Sequence, residues 1–238
     1  MELDPGTVSI IQLAWSRLLR LDDDAVGNGG TERLYSPDDD ASVLTFVTLF
    51  GREIVKGPLW AIDAARSLSG TELRNHSTLL RLSRDHGGRG LGAAQLYFCD
   101  ALPALGGEPA VVSSEAEIVH ELELSCPPDD VAEADLGSAE HRFVLVDDAD
   151  ADHPVPLAGA GFDIWAGILA HIAVLTPPED RRKGYGQRIT AVAVEEAIAA
   201  GLVPQWRART DNTASQRTAR RAGFAFAGTQ TSVLLDGA

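Results

Sequence analysis

Apolar positions along this chain fall into two periods. Runs with period-two alternation, or dense in β-branched and aromatic residues, predict strands at SVLTFVTLFGREIV (42–55), AAQLYFCD (93–100), HRFVLVDD (141–148), VPLAGAGFDIWAG (155–167), ILAHIAVLT (168–176), LVPQWRART (202–210) and FAGTQTSVLL (226–235). The first is one strand or two, broken at Gly51. Helical spacing predicts one amphipathic helix through TELRNHSTLLRLSRDHG (71–87), with Thr71 as its N-cap and Gly87 as its stop. Other helices are expected in WAIDAARSL behind Pro58, from Ser113 or Ser114 to about Leu124, in PPDDVAEADL (127–136) with Asp129 as cap, in QRITAVAVEEAIAA (187–200) up to Gly201, and in ASQRTARRAGF (214–224) up to Gly223. The Asp- and Gly-rich stretch 22–40 reads as loop.

The order of these elements predicts an α+β fold. The two prolines and two glycines of ALPALGGEP (101–109) mark a boundary, dividing the chain into an N-terminal α+β domain, 1–108, and a C-terminal domain, 109–238. HGGRGLG (86–92) looks like a phosphate loop, but it leads into a strand and no helix dipole stands behind it, so a flexible turn is expected, with a substrate-touching lid or a decayed ligand site as the alternatives. Trp60 offers a packing surface, with burial in the core as the simpler account.

Composition narrows the classes. With 238 residues and 45% hydrophobic content the chain can bury a core without disulfides. Cys99 and Cys126 stand in no motif, which suggests a reducing compartment and two free thiols. No run of 18 apolar residues exists, and the acidic start lacks the pattern of a signal peptide, so a cytoplasmic location and no membrane partner are expected. A net charge of −15 argues against a nucleic-acid partner. The charge is uneven, however: 181–221 carries +6 and the remainder −21. A local cationic field on an acidic body suits a small, multiply charged anion.

The bases cluster in EDRRKGYGQRI (179–189), where Arg181, Arg182 and Lys183 run into Gly184, Tyr185 and Gly186 ahead of a helix. The first amides of a helix lack intrahelical acceptors and carry the positive end of the dipole, and glycines let a phosphate approach them. A Walker A loop would need GxxxxGK[ST], which is absent, and the third glycine of GxGxxG is missing.

Arg181-x-x-Gly184-x-Gly186 after a strand resembles the acetyl-CoA pyrophosphate loop of the GNAT superfamily of N-acetyltransferases. So do Ala173-Val174-Leu175-Thr176 with Pro178 upstream, and Asn212-Thr213-Ala214-Ser215 followed by Ala222-Gly223-Phe224 downstream. The likeness covers roughly 110–238. It implies a central, mostly antiparallel sheet flanked by helices, and transfer of an acetyl group from acetyl-CoA to a primary amine of a small molecule or a protein. The backbone of Val174, Leu175 and Thr176 would lie beside the pantetheine arm, and an N–H near Leu175 or Thr176 would polarise the thioester. Arg181, Arg182, Lys183, Gly184, Tyr185, Gly186 and Gln187 would hold the pyrophosphate. Asn212 and Ser215 would touch the pantetheine or adenine side, with helix capping as the alternative.

The chain also departs from the family. Where many members carry a tyrosine acid, this sequence has Ala219. On the strand before the loop, the face expected to line the site presents Ala170 and Ile172, which leaves His171 as a buried, hydrogen-bonded core histidine, with catalytic base as the alternative if the strand is splayed or bulged. Asp163, Glu121, Glu123, Asp129 and Asp130 are other candidate bases, or acids that suit a cationic amine, or plain acidic surface. The general acid and base stay unassigned, no metal site is expected, and a catalytically inactive acyl-CoA-binding module is the alternative function. The N-terminal domain is either a degenerate copy of the same fold or a separate domain that caps the acceptor site or forms a homodimer interface.

Overall fold

The computed structural model describes residues 2–103, 111–147 and 154–236. Most of the predicted boundary segment 101–109, and most of the acidic turn after 147, lie outside the described residues. In chain order the elements are α1 (Pro5–Leu18), β1 (Leu34–Pro37), β2 (Val43–Leu49), β3 (Arg52–Gly57), α2 (Leu59–Arg66), α3 (Gly70–Arg74), α4 (His76–Leu82), β4 (Arg89–Phe98), β5 (Val112–Ser113), α5 (Ala116–Leu124), α6 (Pro128–Ala134), β6 (His141–Asp147), β7 (Val155–Trp165), β8 (Leu169–Leu175), α7 (Tyr185–Ala199), β9 (Val203–Arg209), α8 (Thr213–Arg221) and β10 (Ala225–Leu234). No described helix is long and apolar enough to cross a membrane.

Backbone contacts divide the chain into two compact units. One comprises Asp4–Tyr97, Arg207–Gln216 and Phe226–Ala238; the other comprises Phe98–Trp206 and Arg217–Ala225, with the first three residues. In the first unit the strands run β1-β3-β2-β10-β4. β2 and β3 form a hairpin whose turn, Phe50–Gly51, has φ of 47° and 83°, so the break predicted at Gly51 is the turn itself. β10 pairs antiparallel with β2 from Gly228↔Leu49 to Leu234↔Val43. Leu44, Phe46, Val55, Ile62, Leu73, Leu79 and Val233 form its core. Helix α1 has no counterpart among the sequence expectations. Its signal is Asp4-Pro5: the Asp4 carboxylate accepts from the Gly6 amide, and Pro5 sits in the first turn.

The helix expected at 71–87 is two. Asn75 adopts an extended backbone (φ −78°, ψ 113°) between α3 and α4, because its side chain accepts from the Ser77 amide and so starts a second helix. The first helix is capped by Ser69 in a reciprocal capping box with Glu72, two residues earlier than the Thr71 cap the sequence suggested. The predicted turn HGGRGLG is partly strand, since β4 begins at Arg89. His76, the 90–93 segment and Arg209–Asp211 line a cleft of ≈300 Å³ there. Trp60 is half-buried and stacks on His86, with ring centroids 3.6 Å apart.

The second unit orders its strands β9-β8-β7-β6-β5, with β5 to β8 antiparallel and β8-β9 parallel. α5 packs on one face. Ile118, Val119 and Leu122 join Leu136, Val144, Val146 and Leu175 in a buried cluster. Gly159 of β7 allows this approach, since a Cβ there would stand 2.5 Å from both Leu122 Cδ2 and Leu136 Cδ2. The N-cap of α5 is Glu115, whose amide donates to Ser113 Oγ, and that of α6 is Pro127, so none of Ser113, Ser114 and Asp129 is the N-cap. α7 buries Ile189, Thr190, Ala193, Val194 and Ala197, a stripe at helical spacing, and packs chiefly on β6, β7 and β8.

Candidate functional site

The site grows from the junction of β8 and α7. β8 is paired with β7 along its whole length, up to Leu175↔Gly159. Its parallel pairing with β9 runs only from Leu169↔Val203 to Ile172↔Trp206. Past Ile172 the backbone of Ala173, Val174 and Leu175 has no β9 ladder partner among the described residues. That leaves Val174 and Leu175 without a ladder partner on this side, where a pantetheine amide could pair, whereas the Thr176 carbonyl accepts from Arg181 Nε.

Pro177 and Pro178 then turn the chain through a short 3₁₀ segment, Pro178–Asp180, closed by the Asp180 amide donating to Pro177 O at 3.0 Å. Two left-handed residues follow: Arg182 at φ 68° and Gly184 at φ 90°. The first is unusual for a side-chain-bearing residue, and such strained positions concentrate where a loop holds a ligand. Gly184 is the N-cap of α7 and supplies no side-chain acceptor, so the first amides of this 15-residue helix are uncapped. Nothing lies within 4 Å of where a Gly184 Cβ would be. Arg181, Arg182, Lys183 and Gly184 are exposed, with Tyr185 and Gly186 half-buried. An open, dipole-backed helix start is the donor set a pyrophosphate needs, and the residues present fit CoA.

The structure sorts the bases of this loop. Arg181 does not reach toward the helix start as a free charge. Its Nη2 donates to Asp130 Oδ2 at 2.5 Å and its Nε to Thr176 O at 3.1 Å, tying the loop to α6 and to the end of β8. Lys183 donates to Asp180 Oδ1 at 2.9 Å, and this pairing raises its pKa. Arg182 makes no ion pair with a described residue. At the next turn Gln187 Nε2 contacts Arg221 O at 3.5 Å, which places the C-terminal end of α8 beside the start of α7.

Residues 109–224 match the model of the acetyltransferase (GNAT) family. They form a GNAT acetyltransferase domain. By this family the domain is an acyl-CoA-dependent N-acetyltransferase. The chain is also similar to a GNAT-family acetyltransferase from Colwellia psychrerythraea (13% identity, 78% of this chain and 76% of that one, TM-score 0.49) and to a GCN5-related N-acetyltransferase from Kribbella flavida (19% identity, 67% and 64%, TM-score 0.48). The comparison with curated proteins gave no match. The assignment of the GNAT domain therefore rests on the 109–224 match together with the loop.

Within the GNAT domain the structure brings Val174–Thr176 and Arg181–Gln187 together at one strand-to-helix junction. Asn212 and Ser215 fall in the other compact unit, where the Asn212 carboxamide oxygen accepts from the Ser215 amide at 2.9 Å and caps α8. The family's tyrosine position, Ala219, is fully buried. The reading of β8 needs correction. Ala170 and Ile172 are buried, at 0% and 3% exposure. His171 is half-buried and not a core residue. It stacks on Trp165, with centroids 4.2 Å apart, and its Nδ1 lies 3.5 Å from Gln205 Nε2. Period-two reasoning placed these side chains on opposite faces correctly, but it could not say which face would be buried.

Several acidic candidates already have structural roles. Asp163 accepts from the Glu140 amide, Glu123 from the Gly137 amide, and Asp130 holds Arg181. Asp163, His171 and Gln205 stand opposite one another across β7, β8 and β9, a row that the separate strand predictions did not show. Cys126 lies near Arg181 and Asp130, and burial pushes its thiol pKa up, with smaller opposing effects from Ser125 and Arg181.

Proposed function

We propose that this protein transfers an acetyl group from acetyl-CoA to a primary amine of a small molecule or a protein. The carrying observation is the uncapped start of α7 behind Gly184, directly after the part of β8 that lacks a β9 partner. The thioester supplies an activated acyl carbon and a thiolate leaving group. The chain supplies position and polarity. Amides at Gly184–Gln187 hold the pyrophosphate and fix the depth of the ligand. Main-chain groups of Val174–Thr176 run beside the pantetheine arm, and an N–H there donates to the thioester oxygen as charge develops on it.

The amine must arrive deprotonated, and its attack forms a C–N bond as the C–S bond breaks. With Ala219 buried, no side chain at that position protonates the leaving thiolate, which solvent can do instead. This sets an inactive acyl-CoA binder as the alternative. The test is thiol release from acetyl-CoA across a panel of small-molecule and peptide amines. Amine-dependent release supports transfer, whereas tight CoA binding with no release for any amine would support the binding module. A cytoplasmic location and the absence of nucleic-acid and membrane partners belong to this same reading, motivated by the −15 charge; co-purification with nucleic acid or membrane would count against it.

A further inference from the structure

Arg52 opens β3 beside the Phe50–Gly51 turn, in the first compact unit, and is only 8% exposed. Its Nε and Nη1 are buried and have no hydrogen-bond partner among the described residues. Nη2 has one long contact, to Asn28 Oδ1 at 3.4 Å. In a chain with 35 acidic residues, no carboxylate of a described residue pairs with this guanidinium. Asp23, in the loop that leads to Asn28, is taken by Arg17 instead. Arg33, in the same unit, shows what a structural arginine looks like here. Its guanidinium donates twice to Glu53 and once each to the carbonyls of Ala65 and Leu68. Taking a charge out of water is costly unless its donors are answered, and a purely structural role at position 52 would be filled better by an apolar side chain.

The loop after α1 closes over the unanswered donors. The main chain of Gly30 lies directly on the guanidinium, since a Cβ there would stand 2.6 Å from Nη1 and 3.0 Å from Nη2. Gly29 takes a left-handed φ of 72°, and Asn28 Oδ1 also accepts from the Gly30 amide at 3.2 Å. Residues 27–32 are all exposed, between buried Val26 and half-buried Arg33. A segment with so little buried surface opens at low cost. We propose that Arg52 and the Asn28–Gly30 loop form a binding site for a small oxyanion, a phosphate or carboxylate group whose oxygens take up the unanswered guanidinium donors. Bound there, the anion ties the loop after α1 to the β2–β3 hairpin. The site is independent of the CoA reading of the loop after β8.

The test is titration of the full chain with inorganic phosphate and, separately, with acetate, at an ionic strength held constant with sodium chloride. Proton–nitrogen correlation spectra read the Arg52 Nε–H and the Gly29 and Gly30 amides, so that an anion bound at the start of α7 is not counted. The expected result is a saturable shift of these signals with at least one of the two anions, with a dissociation constant on the order of millimolar. Response to phosphate alone identifies a phosphate-group ligand, and response to acetate alone a carboxylate. In Arg52→Met the Gly29 and Gly30 shifts should vanish, and the anion should no longer raise the melting temperature. In Arg52→Lys, which keeps a charge but not the planar fork, affinity should fall about tenfold. Signals that respond to neither anion would overturn the site. So would loop shifts that persist in Arg52→Met, or an Arg52→Lys affinity equal to that of wild type.

Discussion

Arg181 and Asp130 are joined at 2.5 Å between the loop after β8 and helix α6, while the same guanidinium donates to the carbonyl of Thr176. One side chain thus couples the loop, the strand end and helix α6. Arg181 acts here as a brace. Because both partners are more than 40% exposed, the pair is worth only about 0.2–1 kcal/mol. Asp130→Asn is expected to weaken acetyl-CoA binding about twofold to fivefold with almost no change in melting temperature. Titration and a thermal melt of the same sample check both.

Gly184 holds φ at 90° with open space around the missing Cβ. Alanine meets no clash there and only the left-handed backbone cost, about 1–2 kcal/mol. Gly184→Ala should lower unfolding free energy by roughly that amount in a urea titration. An unchanged midpoint would mean that the loop relaxes to another conformation.

Gly159 lies under α5, and alanine at this position meets two leucine methyls at 2.5 Å. Gly159→Ala should overpack the core around Leu122 and Leu136 and destabilise by about 1–3 kcal/mol. Gly159→Ala with Leu122→Val should recover part of the loss, a non-additivity measurable in a double-mutant cycle.

Burial raises the pKa of both thiols, Cys99 and Cys126. Each binds its proton more tightly folded than unfolded, so the native chain holds more protons once pH passes the ordinary thiol range. Stability then falls as pH rises above that range, and the loss continues until the folded thiols ionise. At neutral pH both should alkylate more slowly than a free thiol, with buried Cys99 slower than half-buried Cys126. Mass spectrometry of iodoacetamide-treated protein, native and in urea, reads the order directly.

How much of this could be read from residues alone varied with the range of the interaction. The strands around 141–176 and the helix 187–200 were legible because their burial patterns are set locally, by β-branched alternation and by the 189/190-193/194-197 stripe. The loop was legible because glycines before a helix and bases beside them have few other uses. Short-range competition hid the split at Asn75, where a side chain outcompetes the helix for the Ser77 amide. Tertiary pairing hid the rest. Nothing local tells that Arg181 is committed to Asp130, 51 residues away, or that Ala170 and Ile172 are buried while His171 stays half open.

The central claim is that acetyl-CoA sits with its pyrophosphate on the amides of Gly184–Gln187. The most direct measurement is calorimetric titration of acetyl-CoA into wild type and into Gly184→Trp, with circular dichroism confirming that the variant is folded. The indole would occupy the open space in front of the helix start. Micromolar binding to wild type that is lost in the folded variant is the predicted result. No binding to wild type, or equal binding to both, would contradict the claim.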